Sequence, residues 1–322
     1  MGYTIGAKTL PDLIDEIAGN LINSVDPLDG LSHWSDADPV WNTSIKTAMN
    51  ARRALKYTKG TEVMYMALEV RNTWYTPYPG HAAKGLRVTF SESFDSVNHL
   101  YPVINQQTSI PFEDYSGIAQ PPSDLASLML TYYLWVESNG FVLMAKPEPS
   151  GANYQNAFFM AVERNPNKFY VNPAMYSNFY CLSQMNIWAT FSGAVGAPDK
   201  HYGMLRPFAY TWPNSGNRTE GANYYCMTQG NFDRSYAFKS AGNGKVYYVK
   251  PVIFDTALEP ATANFPPSPI FQADLWFAWS ENMGLIDGDV VAIEGKTTKF
   301  LVKALDSPDS TNRLLFAMKY VA

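Results

Sequence analysis

Four histidines and two cysteines are the residues of this 322-residue chain with the most immediate chemical potential. His33, His81, His99 and His201 are widely separated. No two stand three or four residues apart, the spacing that would place them together on one helix turn. No His-Glu-x-x-His segment, Cys/His metal cluster, Gly-x-Ser-x-Gly elbow, phosphate-binding loop or dinucleotide fingerprint occurs. Each histidine therefore reads as a surface or hydrogen-bonded side chain rather than a ligand. Cys181 and Cys226 could act as nucleophiles with His201 as base. Their neighbours are Phe179, Tyr180 and Leu182 around one, and Tyr224, Tyr225 and Met227 around the other. Apolar surroundings disfavour a thiolate, so the expectation is two free, buried, inert thiols.

Carboxylates offer a second chemistry. Glycoside hydrolysis needs two acids about 5–10 Å apart, and Asp36, Asp38, Glu92, Asp95 and Glu113 lie near aromatic segments. No pair among them is singled out by spacing, and turn or cap roles are the expectation. The segment Ser35-Asp36-Ala37-Asp38-Pro39 has the alternating acids of a calcium loop. It lacks the glycine and distal glutamate that complete one. Trp34, Trp41, Trp74 and Tyr78, if exposed, would form a sugar-binding platform without hydrolysis.

The elements that would position these residues are mostly strands. Charged residues make up only 16% of the chain, against roughly 25% in an ordinary soluble domain. Their place is taken by 18 Phe, 21 Tyr and 8 Trp, punctuated by 22 Pro and 21 Gly. Large aromatics suit a pleated, half-buried surface, and the prolines and glycines mark frequent turns. Residues 63–71 (VMYMALEVR) and 86–90 (LRVTF) alternate as half-buried strands do. Residues 131–137 and 141–147 form a hairpin around Ser138-Asn139-Gly140. A further hairpin is expected around Gly242-Asn243-Gly244. Residues 290–293, 300–305 and 314–321 form a closing meander.

The first element expected is a helix. Thr9 is placed to cap it, Pro11 sits in its first turn, and Leu10, Leu13, Ile14, Ile17, Leu21 and Ile22 recur at helical spacing. Asp12, Asp15 and Glu16 complement its dipole. Another helix start is readable at Ser123-Asp124. Two internal echoes are present: residues 178–186 (NFYCLSQMN) against 223–231 (NYYCMTQGN), and 65–72 (YMALEVRN) against 159–165 (FMAVERN). Two copies without blade signatures do not make a propeller, so duplicated strands within one β domain are expected.

A net charge of −5 gives no basic stripe for nucleic acid. The densest basic cluster, Arg52-Arg53 with Lys46, Lys56 and Lys59, reads as a solvated face. No apolar run is long enough to span a bilayer, and the first residues lack a signal peptide's charged and apolar regions. Two cysteines do not make a disulfide framework, which points to a reducing cytoplasm.

Several segments are also familiar together. Residues 130–171, a Tyr-rich hairpin running through Val142 to Lys146-Pro147-Glu148-Pro149 and on to a second apolar strand, resemble strands in virion proteins of tailed bacteriophages. Residues 288–295 with 300–302 and 313–321, and the 41–90 region with its Arg-Ala-Leu-Lys-Tyr step, are similar to other parts of such proteins. The resemblance covers about half the chain and brings no catalytic motif. It implies a structural component of a tail, neck or baseplate, made in the host cytoplasm and kept in the virion. Its partners would be copies of itself and other virion proteins. No catalytic residue, cofactor, metal, nucleic acid or membrane enters that expectation. A carbohydrate-binding or glycoside-cleaving protein is the alternative.

The expected architecture is mainly β: an antiparallel β-sandwich or barrel-like domain with an N-terminal helix and a small C-terminal β module. The boundaries are 1–28 for the helical segment, 29–258 for the main domain, and 270–322 for the C-terminal module after the proline-rich connector 259–269. Candidate contact residues are Leu13, Ile17 and Leu21 on the helix, and Trp74, Tyr75 and Tyr78 in the loop 74–80.

Overall fold

The computed structural model describes residues 2–39, 52–71, 85–99, 104–111, 129–148, 158–164, 179–185, 202–204, 206–207, 224–226, 253–255, 275–279, 288–292, 294–295, 297–304 and 314–321. In chain order these form β1 (Gly2–Thr9), α1 (Leu10–Ile22), β2 (Trp34–Asp36), β3 (Arg52–Lys59), β4 (Glu62–Arg71), β5 (Gly85–Ser91) and β6 (Ile104–Pro111). There follow β7 (Met129–Glu137), β8 (Gly140–Glu148), β9 (Phe158–Arg164), β10 (Phe179–Met185), β11 (Tyr202–Met204) and β12 (Arg206–Pro207). The remainder is β13 (Tyr224–Cys226), β14 (Ile253–Asp255), β15 (Leu275–Trp279), β16 (Val290–Ala292), β17 (Lys299–Ala304) and β18 (Leu314–Tyr320).

Every pair among the described strands is antiparallel. The two largest sheets are built alike. One is the meander β2-β3-β4-β5-β6 with β12 added beside β6; the other is the meander β7-β8-β9-β10-β11 with β1 added beside β7. The echo between residues 65–72 and 159–165 falls on β4 and β9, the third strand of each meander. Met66 and Met160 are fully buried at corresponding places. The other echo has no such counterpart: β10 belongs to a six-stranded sheet and β13 to a two-stranded one. The described strands form open sheets, and no barrel closes among them.

The two large sheets face each other across one core. Trp34, Tyr57, Phe90 and Phe179, drawn from both sheets, meet there at ring-centroid separations of 4.9 to 6.0 Å. Helix α1 lies against that core. Thr9 caps it, its hydroxyl accepting from the Asp12 N–H at 3.4 Å and donating to the Asp12 carboxylate at 2.9 Å. Leu10, Leu13, Ile17, Ala18 and Leu21 have no exposed surface. The helix therefore packs on its own chain, and Leu13, Ile17 and Leu21 are core residues, not an outward contact face. Nor is the first segment separate. β1, which periodicity did not disclose, pairs with β7 along its whole length, and Gly6 stands opposite Tyr132. A Cβ on Gly6 would lie 3.1 Å from the Tyr132 hydroxyl, so the missing side chain leaves room for that phenol, which donates to Glu16 of α1.

The C-terminal sheet has the order β15-β18-β17-β16. The expected meander is its last three strands. Leu301 and Met318, paired in register, belong to the same buried cluster as the large sheets. Tyr320 stacks edge-on against Tyr3 of β1 at 5.3 Å. The Lys303 ammonium sits 4.1 Å from the centre of the Tyr133 ring, and that of Lys319 sits 4.8 Å from that of Trp135. One face of this module thus packs as a third layer on the β1/β7 side, while Phe300, Val302 and Ala317 are buried outside that shared cluster. With both faces covered, β7 and β8 read as runs of apolar residues more than as strict alternation.

The β7–β8 hairpin turns on Ser138-Asn139, with Glu137 opposite Gly140. Among the described residues His99 is the one non-glycine with positive φ, so Asn139-Gly140 is not the central pair of a mirror-image turn. Gly140 takes the positive φ instead, at +152°, and a Cβ there would lie 1.8 Å from the Val162 carbonyl oxygen. Glycine is required because the backbone of β9, the neighbouring strand in the same sheet, approaches it this closely. The helix start at Ser123, the hairpin around Gly242-Asn243-Gly244, the connector 259–269 and the loop 74–80 with Trp74, Tyr75 and Tyr78 lie outside the described residues.

Candidate functional site

Strand β3 places four basic side chains alternately on the two faces of its sheet. Arg53 turns inward to α1, where it pairs with Asp15, and it also reaches Asp36 at 2.6 Å. Those two acids hold its guanidinium in the charged form against the cost of burial. Arg52 turns the other way. It donates to Asp38 at 3.1 Å and to the His99 carbonyl oxygen at 2.9 Å, and His99 Nδ1 lies 2.7 Å from the same Asp38 oxygen. Arg52 is 7% exposed and Asp38 3%. The expectation of a solvated basic face is therefore corrected. Arg52 and Arg53 are packed groups, each matched to acids that arrive from distant parts of the chain.

The same pairings decide the calcium-loop question. Asp36 and Asp38 are drawn to arginines on opposite faces of one sheet, so they do not converge on a common ion. Asp95 accepts from the backbone N–H groups of Val97 and Asn98, at 2.9 and 3.1 Å, as a turn carboxylate does. The sugar-platform expectation loses Trp34, which is 3% exposed and donates its indole N–H to the Ser138 carbonyl at 2.9 Å. Trp41, Trp74, Tyr78, Lys46, His81, His201 and Glu113 lie outside the described residues. Cys181 and Cys226 belong to β10 and β13, but their thiols lie outside the described side chains.

Among the described residues, a dense group of titratable side chains lies at the far end of β3. Asp26, Asp29 and His33 bring ligand-type atoms within 4.8 Å of one another. His33 Nε2 is 2.9 Å from an Asp29 oxygen and 3.7 Å from an Asp26 oxygen, and His33 Nδ1 is 3.0 Å from the Thr58 carbonyl oxygen. The Lys59 ammonium bonds Asp26 and lies 3.3 Å from Asp29. That ammonium bridges the two aspartates, so Asp26, Asp29, His33 and Lys59 form one ion-pair and hydrogen-bond network. The hydrogen bond from Lys59 lowers the Asp26 carboxyl below the ordinary aspartate range. The Leu31 N–H does the same for Asp29, and Asp26 in turn raises the Lys59 ammonium.

The loop between α1 and β2 that carries these acids is tightly bonded. Asp26 accepts from the Leu28 N–H at 2.9 Å and Asp29 from the Leu31 N–H at 3.0 Å. Asp26 N–H donates to the Leu31 carbonyl, and Gly30 N–H to the Asp26 carbonyl, at 2.9 and 2.8 Å. Gly30, at φ +74°, closes the turn. Asp-Pro-Leu-Asp-Gly at residues 26–30 is turn chemistry legible in the sequence. Its partners Lys59 and Thr58 are not, being more than twenty residues away.

No family model, curated protein or solved structure matches the chain.

A second tie crosses between the sheets nearby. Arg164 of β9 donates from Nε and Nη2 to one Glu62 oxygen of β4, at 2.9 and 2.6 Å. Its guanidinium carbon lies 5.5 Å from the centre of the Tyr57 ring. Burial pushes the Tyr57 hydroxyl up to about 12. Arg52, Arg53, Lys59 and Arg164 are thus each paired with acids from other parts of the chain and hold elements together.

Proposed function

We propose that this chain is a structural subunit of a tailed-bacteriophage particle, in the tail, neck or baseplate, and that it acts by packing with copies of itself and other virion proteins. The observation that carries this reading is a charge-poor, aromatic-rich composition, 16% charged and 15% aromatic, on broad antiparallel sheets. Tyr, Trp, Phe and Met are the residues that interface cores favour, and charged residues are the ones they lose. Two features support the reading further. The resemblance of residues 130–171 to phage virion strands covers β7, β8 and β9, which lie side by side in one sheet. Arg52, Arg53 and Arg164 are committed to intramolecular partners and do not serve as solvating surface charge.

The test is to separate a phage lysate by sedimentation and measure the mass and copy number of the chain in purified particles. Multiple copies per particle are the expected result. A stable monomer absent from particles and hydrolysing a polysaccharide would overturn the proposal in favour of the carbohydrate-acting alternative.

A further inference from the structure

We propose that residues 24–32, the loop joining α1 to β2, form a pH-responsive element latched by the doubly protonated form of His33. The ring is 9% exposed, and each of its nitrogens faces an oxygen that can only accept. Nδ1 meets the Thr58 carbonyl at 3.0 Å, and Nε2 meets the Asp29 carboxylate at 2.9 Å. A neutral imidazole has one donor and one acceptor. Whichever tautomer it adopts, one lone pair is then set against an oxygen at hydrogen-bond distance. The doubly protonated ring satisfies both contacts at once.

Among the described residues, charged and titratable groups reach the ring from several elements. From the loop itself come Asp26 and Asp29. From β3 come Lys59, bonded to both acids, and Tyr57, whose ring centre is 5.6 Å from that of His33. Beyond Tyr57 stand Arg164 of β9 and Glu62 of β4, paired with each other. The two aspartates are held below the ordinary carboxylate range and Lys59 above the ordinary ammonium range. Neither kind changes charge near neutrality. His33 is the group of this network whose two contacts to acceptor oxygens depend on its protonation, so the response falls to its ring.

The consequence lies on the outer side of the loop. Leu28 is 87% exposed and Leu31 60%, and both backbone N–H groups are held by the aspartates that face His33 and Lys59. Deprotonation at either nitrogen removes the positive charge of the ring from beside Asp29, which weakens the hold on that carboxylate and frees this apolar tip to move.

The experiment follows amide hydrogen exchange in the full chain, corrected for intrinsic rates, together with the 15N shifts of the His33 ring. Protection of the Leu28, Gly30 and Leu31 amides is expected to fall about tenfold between about pH 5.5 and 8.5. That fall should track the His33 ring titration, while the β7–β8 hairpin amides stay unchanged. His33→Gln should remove the pH response. Protection that does not vary with pH, an equal response in His33→Gln, or 15N shifts of a neutral ring throughout the range would each overturn the proposal. The ring shifts are read on the unmodified chain, so they decide the question even where His33→Gln fails to fold.

Discussion

Trp34 donates its indole N–H to the Ser138 carbonyl at 2.9 Å across 104 residues of sequence, joining the edge strand of one large sheet to the hairpin turn of the other. The indole is 3% exposed and packs edge-on against Tyr57 and Phe179. Trp34→Phe keeps most of the apolar volume and deletes the donor, leaving a buried carbonyl unpaired. A loss of about 1–3 kcal/mol is expected, and Trp34→Ala should lose about 3–5 kcal/mol. Denaturant unfolding of the two variants measures both. A Trp34→Phe variant as stable as the parent chain would mean that the hydrogen bond contributes nothing beyond packing.

Gly140 and Gly60 separate crowding from backbone preference. Both have positive φ, but a Cβ at Gly140 collides with the Val162 carbonyl, whereas one at Gly60 meets nothing within 4 Å. Gly60→Ala is expected to cost about 1–2 kcal/mol from its left-handed backbone alone. Gly140→Ala must also push β9 away and should cost on the order of 3 kcal/mol or more. Comparison of thermal or urea midpoints checks the order.

In the C-terminal sheet, Leu301 is 6% exposed and part of the common core, while Glu294 lies exposed between β16 and β17. Leu301→Ala should cost about 2–5 kcal/mol, and Glu294→Ala should stay within about 0.5 kcal/mol. Because this sheet is a third layer on β7, Leu301→Ala should also speed exchange of β7 amides. A loss confined to residues 288–321 would instead show an independent module.

Acid should weaken the fold through Asp26. Lys59 depresses this carboxyl in the folded chain, so the unfolded chain binds its proton first as pH falls. The stabilisation is complete above the unfolded value near about 4 and drains away as pH drops through it towards the folded value. Urea midpoints should therefore decline between about pH 5 and 3. Lys59→Met should lower the midpoint at neutral pH and flatten that decline. A decline as steep in Lys59→Met as in the parent chain would place the acid sensitivity elsewhere.

Local pattern was enough for much of this fold. Thr9, Pro11 and the spacing of Leu13, Ile17 and Leu21 define α1, because capping and helical periodicity act within a few residues. Alternation in residues 63–71 and 86–90 defines β4 and β5 for the same reason, and the echo with residues 159–165 marks the matching strand of the second meander. β1 was not legible: its Gly6 makes sense only once Tyr132 passes over it, 126 residues away in sequence. The basic residues of β3 look like a solvated face until Asp15, Asp36, Asp38 and Asp26 arrive from 14 to 38 residues off. Trp34 looks like a surface platform until Ser138 supplies its acceptor. Short-range hydrogen bonding and periodicity are written in neighbouring residues and could be read there. Which charges neutralise one another, and which face of a helix or indole is covered, depends on chain segments brought together only by the tertiary fold.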